Sequence, residues 1–216
     1  MSAKSYKSTK RHFIFIRHAP SDIERGQIAG RWDVDALIPQ DDRPCPAKRH
    51  IQNLARQDSQ VISSGARRCM QTAAYLGLEI DSTIPALFEQ DFGLWEGKTW
   101  LGLEQDLTQQ DRLQAFWQSP ATSRPPKGES FLDQCKRVSA VLDQLSCPEP
   151  SEQVPQFLCF IVHAGTIRSA LAWALKISPE QALNFAVDPL SITALSLYAG
   201  QNEQAPLVAL DFVNRA

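Results

Sequence analysis

The chain has 216 residues, 43% of them hydrophobic and 21% charged, a composition that suits one globular domain and excludes a disordered or repetitive protein. Its 22 Lys and Arg against 24 Asp and Glu give a formal net charge of -2, so no overall positive field is available to hold nucleic acid or anionic lipid. No apolar run approaches the roughly 20 residues of a membrane-spanning helix. The five cysteines, Cys45, Cys69, Cys135, Cys147 and Cys159, form no Cys-x-x-Cys pair, which argues against a disulfide framework or a zinc site and fits a reducing cytoplasm.

Met1 to Arg11 is rich in Lys and Ser and lacks the apolar stretch of a secretory signal, so it reads as a flexible tail ahead of a single domain over residues 12–216. His12–Ile16 is a short β-branched and aromatic run that predicts a buried strand. From Ala19 to Pro46, glycines, prolines and charges break both periodicities and predict an ordered loop. A helix is expected over Ala47–Gln57, a strand over Gln60–Ser63, and a helix over Ala66–Leu76 with Ser63 or Ser64 as N-cap and Gly77 as its stop. A third strand belongs between Ile80 and Phe88, and short helices over Trp100–Leu107 and Asp111–Trp117.

Ser119–Gly128 holds three prolines and is irregular, Glu129–Leu145 has helical apolar spacing, and Phe157–Val162 is the most apolar strand. A helix over Thr166–Lys176 follows, then a short one with Ser178 at N-cap and Pro179 at N1. Ser191–Tyr198 and Leu207–Val213 read as closing antiparallel strands. Strands alternating with helices imply an α/β fold: a three-layer sandwich with a mainly parallel central sheet and helices on both faces.

In such sheets ligands bind beyond the carboxyl ends of the strands. Arg17-His18, Ser63-Ser64-Gly65-Ala66-Arg67-Arg68 and His163-Ala164-Gly165-Thr166 each follow a predicted strand. If those strands are neighbours, two histidines and two or three arginines meet at one rim, a site for an anion with several oxygens. One such residue alone is more often a solvated surface group; all three together are harder to ascribe to chance. Neighbouring guanidinium groups disfavour the imidazolium and keep a histidine neutral and nucleophilic. His12 and His50 have no matching partner and read as surface residues, and four histidines without His-x-His or His-Glu-x-x-His spacing give no metal site. In Leu87–Gly97, three acids, Glu89, Asp91 and Glu96, are candidates to protonate a leaving oxygen, and spacing does not choose among them.

Arg17-His18, Ser63-Ser64-x-x-x-Arg68-x-x-Gln71-Thr72-Ala73, Glu89-x-x-Phe92-Gly93-x-Trp95-Glu96-Gly97 and His163-Ala164-Gly165-x-Ile167-Arg168, in that order, resemble the histidine phosphatase superfamily, also called phosphoglycerate mutase-like. The resemblance implies that His18 is the nucleophile that becomes phosphohistidine, that Arg17, Arg68 and His163 hold the phosphoryl oxygens, that Glu89 is the proton donor, and that no cofactor or metal takes part. The family's Gly after the nucleophile is Ala19 here, its Asn six residues on falls at Glu24, and Ala164 follows His163 in place of Gly; Ala164, Glu24 and Arg31 complete the expected substrate contacts.

Trp95-Glu96-Gly97 and Pro125–Ser130 with Arg137-Val138 are similar to the phosphatase branch that includes α-ribazole phosphatase, which implies a small phosphorylated metabolite as partner, such as α-ribazole 5′-phosphate. Gly30–Asp35 resembles a mutase segment, so phosphoglycerate mutase-type transfer is one alternative and a catalytically impaired phospho-binding protein another. Arg124 and Lys127 are further cations within conceivable reach of a second substrate anion, more readily explained as surface charges. A homodimer stays open.

Overall fold

The computed structural model describes residues 10–39, 48, 51, 58–147, 155–198 and 206–215. Strands β1 (Lys10–Arg17), β2 (Ser59–Ser63), β3 (Ser82–Thr83), β4 (Phe157–Val162), β5 (Ile192–Tyr198) and β6 (Leu207–Arg215) form one sheet in the order β3-β2-β4-β1-β5-β6. β3, β2, β4 and β1 run parallel, while β5 and β6 add an antiparallel edge. The helices are α1 (Arg67–Leu76), α2 (Trp100–Gln105), α3 (Gln110–Gln118), α4 (Phe131–Ser146), α5 (Ala164–Leu175) and the short α6 (Pro179–Ala182). The expected α/β sandwich is therefore present, and among the described residues no helix is long and apolar enough to cross a membrane.

The central strands are apolar on both sides because both faces are covered. Phe13 and Phe15 of β1 join Phe160 of β4 and residues of α4 and α5 in one core, while Ile14 and Ile16 face the other core with Cys69, Ala73 and Leu76 of α1. All six residues of β4 are buried, and each large apolar side chain withdrawn from water in this way contributes about 1.5–3 kcal/mol. A satellite core of Ile28, Trp95, Leu103, Leu113 and Phe116 holds α2, α3 and the loop after β1 together.

Several local expectations need correction. The strand begins at Lys10, inside the segment read as a tail, because Lys10 and Arg11 pair with Tyr198 and Leu197 and the Arg11 guanidinium donates to Leu145 O at 2.7 Å. His12 is part-buried rather than a free surface residue: its ring stacks on Phe157 with centroids 4.8 Å apart. Neither Ser63 nor Ser64 caps α1, whose N-cap is Ala66 without a side-chain bond; Gly77 ends it in the left-handed region as expected. α4 starts after Glu129, where Ser130 and Asp133 form a reciprocal capping box. α5 starts two residues earlier than expected, directly after His163. The helix expected over Ala47–Gln57 lies outside the described residues apart from Lys48 and Ile51, and His50 and Cys45 lie outside them altogether.

Gly93 has φ +52, and a Cβ there would overlap the Pro126 carbonyl oxygen, so this glycine lets the turn at 91–93 touch the loop at 126–128. Gly93→Ala should destabilise the protein by about 2–3 kcal/mol, through overpacking added to backbone strain. Gly26→Ala, at φ +83 with no atom of the described residues beyond its chain neighbours within 4 Å of the added Cβ, carries the strain alone and should cost about 1 kcal/mol. Urea unfolding of both variants checks this, and equal losses would remove the steric interpretation.

Candidate active site

Strand register builds the site. Arg17 at the end of β1 lies beside Val162 at the end of β4, and Ile161 of β4 lies beside Ser63 at the end of β2. The next residues, His18, His163 and Ser64, therefore emerge together at the carboxyl edge of three adjacent parallel strands. His18 N donates to Val162 O at 2.9 Å, which holds the first turn after β1 against β4.

Arg68 projects from the first turn of α1 between the two imidazoles and is 1% exposed. Its Nε donates to His18 Nε2 at 3.3 Å, and Nη2 donates to His163 Nδ1 at 3.2 Å. Nη1 and Nη2 also donate to Trp32 O at 2.8 Å and Gly30 O at 2.6 Å. Because a guanidinium can only donate, these contacts fix both tautomers. His18 Nδ1–H donates to Ala19 O, leaving the Nε2 lone pair toward Arg68. His163 accepts at Nδ1, so its Nε2–H donates to Ser64 Oγ at 2.9 Å. Ser64, expected as a helix cap, serves this ring instead.

Burial, the partner imidazole and the Arg68 charge hold the His18 pKa well below the ordinary histidine value. Burial and then Arg68 do the same to His163. Arginine neighbours thus lower both values as expected, but exclusion from water is the larger cause. Cys69 Sγ lies 3.7 Å from His163 Nε2, yet burial pushes its thiol up to about 12, so it offers no thiolate near neutral pH.

Of the three acids, only Glu89 lines the cavity. Its carboxylate accepts from Gly165 N at 3.0 Å, Gln90 N at 3.1 Å and Gln134 Nε2 at 3.1 Å. Burial would raise its pKa, but these three donors outweigh burial and leave the value below the ordinary one. A Cβ at Gly165 would overlap Glu89 Oε1, so glycine at this position admits the carboxylate to the start of α5. Glu96 accepts from Arg31 N and Phe92 N, and Asp91 from Gly93 N; both pin turns. Arg137 of α4 fixes the backbone around Glu89 by donating to Ala86 O, Phe88 O and Glu89 O at 2.7, 2.8 and 2.9 Å.

A cavity of about 740 Å³ opens here, with Arg17, His18, Arg68, Glu89, Gly165 and Arg168 at its polar end. Arg17 Nη1 donates to Val187 O, while its Nε is buried with no hydrogen-bond partner among the described residues. Such an orphaned buried donor costs about 1–3 kcal/mol, and an anion's oxygen would satisfy it. Arg168, whose Nε donates to Phe185 O at 2.9 Å, was not among the expected site residues. The available signal was its spacing, three residues after Gly165 and so on the same face of α5.

Glu24 is exposed at the cavity rim. Ala19 is fully buried and outside the lining, its N donating to Thr72 Oγ1 at 2.9 Å, so its methyl group does not crowd the cavity. His163, Ala164 and Arg31 also stand outside the lining. His163 is enclosed behind Arg68, and the Arg31 guanidinium faces Glu129 at 3.3 Å and Asp91 at 3.9 Å. Arg124 pairs with Asp133 at 2.9 Å. No group of three His, Cys, Asp or Glu side chains converges among the described residues.

Residues 13–208 match the family model described as histidine phosphatase superfamily (branch 1). The chain is 29% identical over 174 residues to 6-phosphofructo-2-kinase/fructose-2,6-bisphosphatase 1 of Bos taurus, a match that covers 80% of this chain and 34% of that protein. The chain thus spans about a third of the length of that relative. It is 25% identical over 175 residues to glucosyl-3-phosphoglycerate phosphatase of Mycobacterium tuberculosis, covering 77% of this chain and 76% of the other. The fold matches the solved structure of a mycobacterial glucosyl-3-phosphoglycerate phosphatase with TM-score 0.75 at 24% identity, over 96% and 100% of the two chains. It also matches an Escherichia coli K-12 protein provisionally assigned as an alpha-ribazole-5′-P phosphatase, with TM-score 0.74 at 21% identity over 94% and 96%.

The two buried, neutral histidines make stability depend on pH. Their folded-state pKa values are depressed, so the unfolded chain takes up protons near pH 6.5 that the folded chain refuses. The stabilisation is complete above that pH and lost as pH falls. Between pH 7.5 and 5.5 the unfolding free energy should drop by roughly 1 kcal/mol per buried histidine, with His12 adding less in the same direction. Urea unfolding at both pH values tests this, and a flat or rising stability on acidification would contradict the neutral assignment.

Proposed function

The chain belongs to the histidine phosphatase superfamily, and from that premise we propose that it is a metal-independent phosphomonoester hydrolase working through a phosphohistidine on His18. One observation carries the reading. His18 Nε2 presents a lone pair at the polar end of a cavity, beside the buried Arg68 guanidinium and within the same lining as the unpartnered Arg17 Nε and the Glu89 carboxylate.

In the first step the Nε2 lone pair attacks phosphorus and the bond to the alcohol oxygen breaks. Arg17 and Arg68 neutralise charge on the phosphoryl oxygens, which is the main requirement of phosphoryl transfer. The Nδ1–H bond to Ala19 O stays in place and stabilises the positive phosphoimidazole ring. His163 acts through Arg68, holding its Nη2 by accepting at Nδ1.

Glu89 is ionised in the free protein, so it acquires its proton from the bound phosphomonoester monoanion, whose negative charge favours protonation of a nearby carboxylate. It passes that proton to the departing alkoxide. The resulting carboxylate then takes a proton from water as the water oxygen attacks phosphorus; the P–N bond breaks, its electron pair returns to Nε2, and phosphate leaves.

A small phosphorylated metabolite fits this site, and α-ribazole 5′-phosphate is the first ester to test. Mutase chemistry on a carboxylate-bearing substrate would call for a further cation; Arg31 is engaged by Glu129 and Asp91, which leaves Arg168 and Arg25 in the lining as the cations for that second reading. A non-catalytic phosphate binder has no need of an unprotonated Nε2, held by Arg68 alone, in one cavity with a carboxylate held by three donors.

The chelator-treated protein should release phosphate from nitrophenyl phosphate, and His18→Ala should lose on the order of 10⁴-fold in kcat while remaining folded by circular dichroism. In the first turnover, where alcohol release reports phosphorylation of His18 alone, Glu89→Gln should slow alkyl phosphates by about 10²-fold or more and nitrophenyl phosphate far less, since only alkoxides need the proton, while the later hydrolysis of phosphohistidine slows equally for both. Residual turnover in His18→Ala would exclude the covalent route, and equal first-turnover losses in Glu89→Gln would remove Glu89 as the acid.

A further inference from the structure

The cavity of about 740 Å³ extends well beyond its phosphate-binding end and falls within the range of drug-sized ligand sites. One wall of the remainder is aromatic, formed by Phe92, Trp100, Phe116 and Trp117, and the segment 20–30 lines another part. The four rings touch in sequence. Phe92 and Trp100 have centroids 6.0 Å apart, Trp100 and Phe116 stack at 5.8 Å with 25° between planes, and Trp100 and Trp117 lie 5.0 Å apart. Behind this wall Trp95, 1% exposed, packs edge-on against Phe116 at 5.3 Å and donates from Nε1 to Gln109 Oε1 at 3.2 Å.

The inner rings are fixed by burial, but Trp117 is 53% exposed at the cavity wall. A satellite core needs Trp95 and Phe116; it does not need a half-exposed indole facing a cavity. The charges on the rim are Glu24 and Arg25, adjacent in sequence and opposite in sign.

Resting on the phosphatase reading above, we propose that this aromatic wall is the leaving-group subsite, and that the preferred substrate is a phosphomonoester whose alcohol portion carries a flat aromatic ring system. The phosphate enters the polar end, and the ring lies on Trp100 and Trp117. Aromatic faces prefer offset-stacked or edge-to-face partners, which a planar ring satisfies and a saturated ring of similar size does not.

The test uses three esters with primary alkoxide leaving groups, so that intrinsic reactivity is matched: 2-(1-naphthyl)ethyl phosphate, its saturated decalinyl analogue and ethyl phosphate. The wild-type chain should favour the naphthyl ester over both others in kcat/KM by about tenfold, mainly through KM, and the ratios should shrink toward one in Trp117→Ala. Trp117 is half exposed, so this variant keeps the core intact. Binding of the corresponding phosphonates by calorimetry reads the subsite without turnover. Tighter binding of the naphthyl phosphonate than of the other two, weakened in Trp117→Ala, supports the subsite even where no ester is hydrolysed; that pairing would reject the phosphatase reading alone. Equal handling of naphthyl and decalinyl compounds, or a naphthyl preference unchanged in both Trp117→Ala and Trp100→Ala, overturns the proposal.

Discussion

The site depends on one buried charge. Arg68 lies between two imidazoles that cannot share a positive charge with it, and its other donors reach the carbonyls of Gly30 and Trp32. Burying a guanidinium costs several kcal/mol unless its donors are satisfied. Here they are satisfied largely by backbone carbonyls and neutral imidazole nitrogens, so the charge itself is not cancelled. Three consequences follow from that choice of partners. The loop after β1 is drawn over the rim by its carbonyls, both histidines stay neutral, and the electrostatic field remains available to an anion. A carboxylate partner for Arg68 would have satisfied the same donors and removed the field.

Glu89 is held by the complementary device. Its carboxylate is anchored by two backbone N–H groups and an amide, while Arg137 gathers the carbonyls of residues 86, 88 and 89. Thr166 Oγ1 adds bonds to Leu87 O and Phe88 O, tying the same segment to α5. α4 and α5 thus determine where the carboxylate stands. One anion therefore faces a group of cations across the cavity, an arrangement suited to taking up and returning one proton as the bound phosphoryl group changes charge.

What the sequence made legible was whatever depends on strand ends. Phe13–Ile16 and Phe157–Val162 could hardly be anything but central strands, and the residues after them inherit their positions from the register. Side-chain direction was less legible. The spacing of Glu89, Asp91 and Glu96 is silent about which backbone N–H groups each one meets, and only the folded turn separates the acid in the cavity from the two that pin loops. His163 stands where its position after β4 puts it, yet its ring turns behind Arg68 because Ser64 takes its Nε2–H. Arg168 belongs to the motif after β4, but only its helical spacing from Gly165 carries it to the cavity. The methyl group of Ala19, where the family has Gly, is buried away from the cavity, a direction that the sequence does not give. Lys10 and Arg11 look like tail by composition; pairing with β5 overrides that.

The two ends of the cavity answer to different physical constraints. The polar end gathers His18 and His163 after strand termini and Arg68 and Gly165 at helix starts, and the carbonyls of Gly30 and Trp32 together with the segment that carries Glu89 complete it. The aromatic wall comes from Phe92 and from α2 and α3, which are joined to the rest through the satellite core of Ile28, Trp95, Leu103, Leu113 and Phe116. Exchange of residues in that satellite core would reshape the wall without moving His18, Arg68 or Glu89. The two ends are therefore separable as structures: the sheet edge with its flanking loops positions His18, Arg68 and Glu89, and the packing around Trp95 positions the aromatic wall.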